Sequence, residues 1–329
     1  MAFDGAFLHQ IKKEIEAQSL GAKVDKVHQP SREEIILVLR GKGVGGKLLL
    51  SARANSPRVH FTGTMPENPP APPMFCMLLR KRLISGKLIA VRQPGLERVL
   101  LLDFSCVNEL GESVTDTLAV EIMGRYSNII LVDENGKIVD ALRRVNAEMT
   151  TERLVLPGMD YQLPPAQNKH NLLETDPDDV MAALERNRNM PLAKGLLAIL
   201  QGFSPIVCRE LAYTACRGQD VATQEMTAEQ KERLCFFLRR TTELVTDSAK
   251  PVMVIMLLIG LLPLLLFFIP IPGTGENLKD LMESYYEDST ILLEGFCFLF
   301  TGALLMIAHA VCAGGSFQTD ASTGLLCQR

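Results

Sequence analysis

Between Val24 and Arg143 the chain is a succession of short apolar runs rich in β-branched residues, each closed by Gly, Pro or Asn. After Val24 and Val27 come EIILVLR (34–40), KLLLSA (47–52), RVHFT (58–62), KLIAVRQ (87–93) and RVLLLDF (98–104). TLAVEIM (117–123), SNIILVD (127–133) and KIVDALR (137–143) complete the set. Runs of this length and composition, bounded by turn residues, predict β-strands. Asn135-Gly136 between the last two predicts a two-residue hairpin. Two helices belong to the same region. Phe7, Ile11 and Ile15 fall at helical spacing over residues 6–18, ahead of Gly21, and PPMFCMLLRKRL (72–83) opens on prolines and closes on Arg80, Lys81 and Arg82.

After the loop YQLPPAQNK (161–169) the period changes to helical, in DPDDVMAALERN (176–187), PLAKGLLAIL (191–200), SPIVCRELAYTAC (204–216) and TAEQKERLCFFLRRTTELV (227–245). The fold class is therefore α+β, with a β-rich domain over 1–170 and a helical unit over 171–249. Gly202-Phe203-Ser204-Pro205 joins two of the short helices. Such a turn admits two readings: a helix-hairpin-helix whose freed N–H groups at Gly202 hold a phosphate, or an ordinary interhelical turn.

Residues 250–329 form an apolar tail. No charge occurs from Pro251 to Gly275, nor between Glu294 and Asp320. Each run is long enough to span a bilayer, so spans over 251–272 and 291–312 are one expectation. The other is a tail read in a shifted frame, with no membrane role.

The net charge of −4 averages two different regions. Up to Lys250 there are 32 basic and 31 acidic residues; beyond it there are 2 and 7. Within the neutral part, Arg80, Lys81, Arg82, Lys87, Arg92 and Arg98 stand against the single acid Glu97, and further basic residues recur at 53, 58, 125, 143 and 144. Such clustering either neutralises phosphates or forms a solvated face. Trp is absent, so backbone and shape recognition fits an RNA partner better than base stacking. The eight cysteines include no C-x-x-C pair and the five histidines no i, i+4 pair, so neither a metal site nor a cofactor is expected. Residues 1–5 carry Asp4 and no positive stretch leading into an apolar run, so secretion is not expected.

FDG (3–5), VHQP (27–30), SPRVHFT (56–62), ENPPAPPMFCMLLRK (67–81), GLERV (95–99), EIMGRYSNIILVD (121–133), VLPGMDYQLPPAQ (155–167) and GFSP (202–205), in this order, resemble the NFACT-N domain of RqcH-type ribosome-quality-control factors, which are also labelled fibronectin-binding proteins. The resemblance covers residues 1 to about 249. It implies a cytoplasmic, ribosome-associated adaptor and not an enzyme. Such a factor binds a large ribosomal subunit obstructed by peptidyl-tRNA and recruits alanyl-tRNA for untemplated alanine tailing. It places the tRNA contact on Glu97, Arg98, Glu121, Ile122 and Met123, with Glu97 standing where the family commonly has Asp. Arg80, Lys81, Arg82, Arg125 and Gly202 are the further candidates for phosphate. On pattern alone Ile122 and Met123 fit strand core equally well. The family's architecture also resembles formamidopyrimidine-DNA glycosylases, but Ala2 and Phe3 stand where that chemistry needs a proline nucleophile and a glutamate, so glycosylase activity is not expected. In the family, charged coiled-coil helices follow; here the apolar tail stands instead, so an incomplete copy is expected. The alternatives are a membrane-tethered derivative and a surface adhesin.

Overall fold

A computed structural model describes residues 3–149, 153–165, 168–187 and 189–246, together with the backbone of two short strands near the C-terminus. Helix α1 (Gly5–Ser19) starts where the Asp4 carboxylate accepts the Phe7 N–H at 2.9 Å, and turns Leu8, Ile11 and Ile15 inward. Four strands follow, β1 (Lys23–Ser31), β2 (Glu34–Arg40), β3 (Gly45–Ser51) and β4 (Arg58–Phe61), then helix α2 (Met74–Leu83). Five more strands complete the sheet: β5 (Lys87–Arg92), β6 (Val99–Val107), β7 (Ser113–Glu121), β8 (Asn128–Val132) and β9 (Ile138–Ala141). Their order is β4-β3-β2-β1-β5-β6-β7-β8-β9, with each neighbouring pair antiparallel. Two meanders thus meet where β1 pairs with β5 around Lys23 and Lys87, flanked by backbone bonds such as Leu88 N–H to the Ala22 carbonyl and Val24 N–H to the Gly86 carbonyl, and α2 makes the crossover between them.

The run RVLLLDF reads as continuously apolar because β6 is buried on both faces. Leu100, Leu102 and Phe104 join α1, α2 and β1–β3 in the main core, while Val99 and Leu101 pack with Ala119, Ile130, Val132, Ile138 and Val155 on the other face. Side chains alternate across a strand, so one sequence run serves two cores.

Two local expectations are corrected. The β8–β9 turn is not a two-residue hairpin at Asn135-Gly136. Gly136 N–H donates to the Asp133 carbonyl and Asp133 N–H to the Lys137 carbonyl, which closes a three-residue loop. Gly136 takes φ +75° there, and the Asp133 carboxylate accepts the N–H groups of Asn135 and Lys137. Strand β7 begins at Ser113 rather than Thr117, because Asn108 Oδ1 accepts the N–H groups of Leu110 and Glu112 and so lets the β6–β7 ladder run out to Val107 and Ser113.

Helices α3 (Pro177–Arg186), α4 (Leu192–Ile199), α5 (Pro205–Ala215) and α6 (Ala228–Thr246) follow. Their core, which includes Leu184, Leu196, Cys208, Leu211, Leu234 and Leu238, also takes in Ala6 and Leu96 from the β-rich part. Accordingly residues Met1–Ala249 form one compact unit. Lys250–Arg329 form a second, in which β10 (Phe317–Thr319) pairs antiparallel with β11 (Leu326–Gln328). The spans expected at 251–272 and 291–312 lie outside the described residues. No described helix is long and apolar enough to cross a membrane.

Candidate nucleic-acid interface

The loop that carries Glu97 and Arg98 joins β5 to β6 and is held from three sides. Gln93 Nε2 donates to the carbonyls of Gly5 and Glu97, both at 2.9 Å. Gln201 reaches in from the α4–α5 turn, with its Nε2 donating to Glu97 Oε1 at 2.7 Å and its Oε1 accepting Leu96 N–H at 3.2 Å. A β-carbon on Gly5 would fall 1.7 Å from the Leu96 carbonyl oxygen, and one on Gly202, at φ +78°, would fall 2.4 Å from it. Only two bare backbones let α1, the loop and the α4–α5 turn close together. FDG, GLERV and GFSP therefore form one joint.

That joint changes the reading of the turn at Gly202. Ser204 N–H, at the start of α5, donates to Asp4 Oδ2 at 2.9 Å, and the Gly202 carbonyl accepts Ala6 N–H at 3.0 Å. An internal carboxylate occupies the position that a phosphate would take on Ser204. The turn is an interhelical junction bound to the opening residues of the chain.

The five residues expected to touch tRNA come together at one end of the sheet. Ile122 N–H donates to the Arg98 carbonyl at 2.8 Å, which sets Arg98 beside the β7 end. They do not share one role. Glu121 is only 2% exposed and accepts two bonds from Arg153, at 2.6 and 3.0 Å, and a third from Tyr161 Oη at 3.0 Å. Burial, and then the Glu121 charge, hold the Tyr161 hydroxyl far above the usual phenol range. Ile122 is buried in the main core. Glu121 and Ile122 are thus internal, while Arg98 is exposed and Glu97 and Met123 are half-buried.

The basic cluster at 80–98 is also redistributed. Arg80 Nε donates to the Val27 carbonyl at 2.9 Å, and Lys81 pairs with Glu109 at 2.5 Å. Arg82 forks onto Asp116 at 2.7 and 2.9 Å, and Arg92 onto Asp103 at 2.5 and 2.9 Å. The acids come from the β6–β7 hairpin, so three of the six basic residues of the cluster, Lys81, Arg82 and Arg92, are internally neutralised. The last turn of α2 also suits cations, since the helix dipole is negative there.

A different positive surface forms around the turn Gly124–Tyr126. Gly124, at φ +58°, approaches Ala54 so that its β-carbon would lie 3.9 Å from the Ala54 carbonyl, which brings Arg53 and Arg58 alongside. Both of those arginines reach the buried Glu34, at 2.9 and 3.3 Å. Arg143 donates to the Arg125 carbonyl at 3.0 Å and pairs with Glu33. Arg125 itself makes no ion pair among the described residues, and lies 4.7 Å from the centroid of the Tyr126 ring with its Nη2 bonded to Tyr126 Oη at 2.6 Å. Arg98, Arg53, Arg58, Arg125 and Arg143 outnumber Glu33, Glu34 and Glu97, so this end of the sheet carries excess positive charge.

Beside Glu97 lies a cleft of about 470 Å³, also lined by Lys169, His170, Asn171 and Gln201. Asn171 is 8% exposed; its Oδ1 accepts Leu173 N–H, while its Nδ2 has no partner. Among the described residues no group of three or more His, Cys, Asp and Glu side chains could hold a metal ion. The roles of Gln201, Asp4, Arg153, Tyr161 and Tyr126 were missed from sequence. Tyr126 lies in the quoted motif, but nothing local marks it as exposed.

The family model described as NFACT N-terminal and middle domains matches residues 4–290. The chain belongs to the NFACT family. Its relatives include the Rqc2 homolog RqcH of Bacillus subtilis, 41% identical over 216 residues, covering 65% of this NFACT chain and 38% of the relative. The Rqc2 homolog RqcH of Streptococcus pneumoniae is 29% identical over 295 residues, covering 88% and 48%. This NFACT chain therefore spans less than half the length of the curated relatives it matches. The N-terminal part of the fibronectin/fibrinogen-binding protein from Streptococcus suis superimposes with a TM-score of 0.63 at 32% identity, covering 72% of this chain and 85% of that one. The MutM (Fpg) protein of Thermus thermophilus gives a TM-score of 0.32 at 14% identity. These RqcH relatives agree with the family resemblance read from the sequence, and the α+β class expected from sequence is the class observed.

Proposed function

We propose that this chain is a non-enzymatic, cytoplasmic adaptor of ribosome quality control, which grips tRNA through the sheet end that carries Arg98, Met123 and the Gly124–Tyr126 turn. The observation that carries this reading is the excess of arginine there: Arg125 and Arg98 make no ion pair among the described residues, and Arg53, Arg58 and Arg143 share two glutamates. Fork-shaped guanidinium groups suit phosphate oxygens. Glu97, fixed by Gln201, and the buried Glu121–Arg153 pair act as positioning residues for the loop and the β7 end. Recruitment of alanyl-tRNA to an obstructed large subunit that holds peptidyl-tRNA, for alanine tailing, is the activity we assign to the complete factor.

The test is binding of the full 329-residue chain to tRNA across a salt titration. Affinity should fall steeply with salt, by the counterion-release relation, and Arg98→Ala with Arg125→Ala should flatten the slope. Salt-independent binding, or none, would overturn the reading. The S. suis neighbour's name supports a second reading, fibronectin binding, for which retention of the chain on immobilised fibronectin is the check.

A further inference from the structure

Tyr126 is 67% exposed, yet its position is determined on every side. Its N–H donates to the Met123 carbonyl at 3.1 Å, and the next residue, Ser127, closes the turn onto the Gly124 carbonyl at 3.1 Å. Ser127 Oγ accepts Met123 N–H at 2.8 Å. Arg125 holds the phenol oxygen and lies over one face of the ring, and Arg143 then holds the Arg125 carbonyl. Asn128 ties that arginine down in turn, with its Nδ2 on the Arg143 carbonyl at 2.7 Å and its Oδ1 on Arg143 N–H at 3.0 Å. An ordinary surface tyrosine keeps its rotamer freedom. This one is displayed in one orientation, so a ligand that lies on it loses little further entropy.

The surroundings select the ligand. A flat aromatic face set among arginines offers attraction for a π-system and for an anion within one residue's reach of each other. In duplex RNA the bases are stacked on one another and have no face to offer. An unpaired loop nucleotide presents both a free base and a phosphate. We propose that Tyr126 is the stacking platform for one unpaired base of the bound RNA, while Arg125, which makes no ion pair among the described residues, meets a flanking phosphate. This rests on the tRNA reading above and names the element of the RNA that this surface takes. It adds base stacking to the backbone and shape recognition that the sequence favoured.

The test uses the full chain and two RNAs of equal length: a tRNA-like stem–loop with 2-aminopurine placed at successive loop positions, and a fully paired duplex. The stem–loop should bind more tightly than the duplex, and one loop position should change its 2-aminopurine fluorescence on binding. Tyr126→Ala should abolish that signal and weaken stem–loop binding by roughly 5- to 150-fold, the range for loss of one stacked base, while leaving the salt slope unchanged. Tyr126→Phe keeps the ring but loses the bond to Arg125, so it should retain the signal with an affinity between those of the wild type and Tyr126→Ala; it also controls for folding. Wild-type affinity in Tyr126→Ala, or equal losses in the Phe and Ala variants, would overturn the platform and leave the tRNA reading standing. Failure of the wild-type chain to bind either RNA would overturn both.

Discussion

Asp4 accepts the Ser204 N–H at 2.9 Å across 200 residues of sequence, while its other carboxylate oxygen caps α1 through Phe7 at 2.9 Å. One side chain near the start of the chain thereby fixes the first turns of two helices, α1 and α5. It adds a polar tie to the joint at which Ala6 and Leu96 enter the helical core and Gln201 holds the loop bearing Glu97 and Arg98.

The close approach at this joint predicts an asymmetry between glycines. Gly5→Ala forces a β-carbon onto the Leu96 carbonyl, and should cost about 3 kcal/mol or more. Gly43→Ala, at φ +72° with nothing within 4 Å, should cost only about 1–2 kcal/mol for the backbone conformation. Urea unfolding of the two variants measures the difference; equal losses would mean that the joint does not close as described.

Glu121→Gln leaves Arg153 charged and poorly paired in a site where the arginine side chain is 14% exposed. Breaking such a pair costs on the order of 3–5 kcal/mol. The double change Glu121→Leu with Arg153→Met should be less destabilised than the sum of the single changes, since no lone charge remains buried. Thermal melts of the four proteins give the coupling directly.

Salt dependence should separate the two sets of arginines. Arg125→Ala or Arg98→Ala, at the two arginines of this surface that make no ion pair among the described residues, should lower the slope of log affinity against log salt by about one each. Arg82→Ala and Arg92→Ala should leave the slope near its original value, because those guanidinium groups already face Asp116 and Asp103. A slope lost equally in both sets would restore the whole 80–98 cluster as the RNA surface.

Acid should weaken the fold through His9 and His28. Burial is the main cause that lowers both below the usual imidazole value, against a raising contribution from Gln93 at His9 and with help from Arg80 at His28. A folded-state value below the unfolded one means that the unfolded chain binds more protons, so stability is full above the unfolded value near 6.5 and falls as pH drops through the folded values. Melting temperature should decline from pH 7.5 to pH 5.5, and the double change His9→Gln with His28→Gln should reduce that decline.

Residues 1–249 should fold without the tail, because both major cores close inside that unit. Expressed alone, they should unfold in one cooperative transition. Two separate transitions would show that the β-rich and helical parts are independent.

Much of the fold was legible from local pattern. Short apolar runs bounded by turn residues became β2 to β9, helical spacing became α1 to α6, and the unbroken apolarity of β6 followed from burial on both faces. Periodicity survives in sequence because each strand or helix buries its own face. The quoted motifs likewise carried the family, and with it Glu97, Arg98 and the Glu121–Met123 segment. What sequence could not reveal was which of those charges remain available to a ligand. Arg82 finds Asp116 across 34 residues, Glu97 finds Gln201 across 104, and Glu121 is closed off by Arg153 and Tyr161. A charge is neutralised by whatever the tertiary fold sets beside it, and that neighbour has no fixed sequence spacing. The same holds for Tyr126: its aromatic ring is written in the sequence, but its exposure, and the arginines that hold it, were decided only when the ends of β6, β7 and β8 came together.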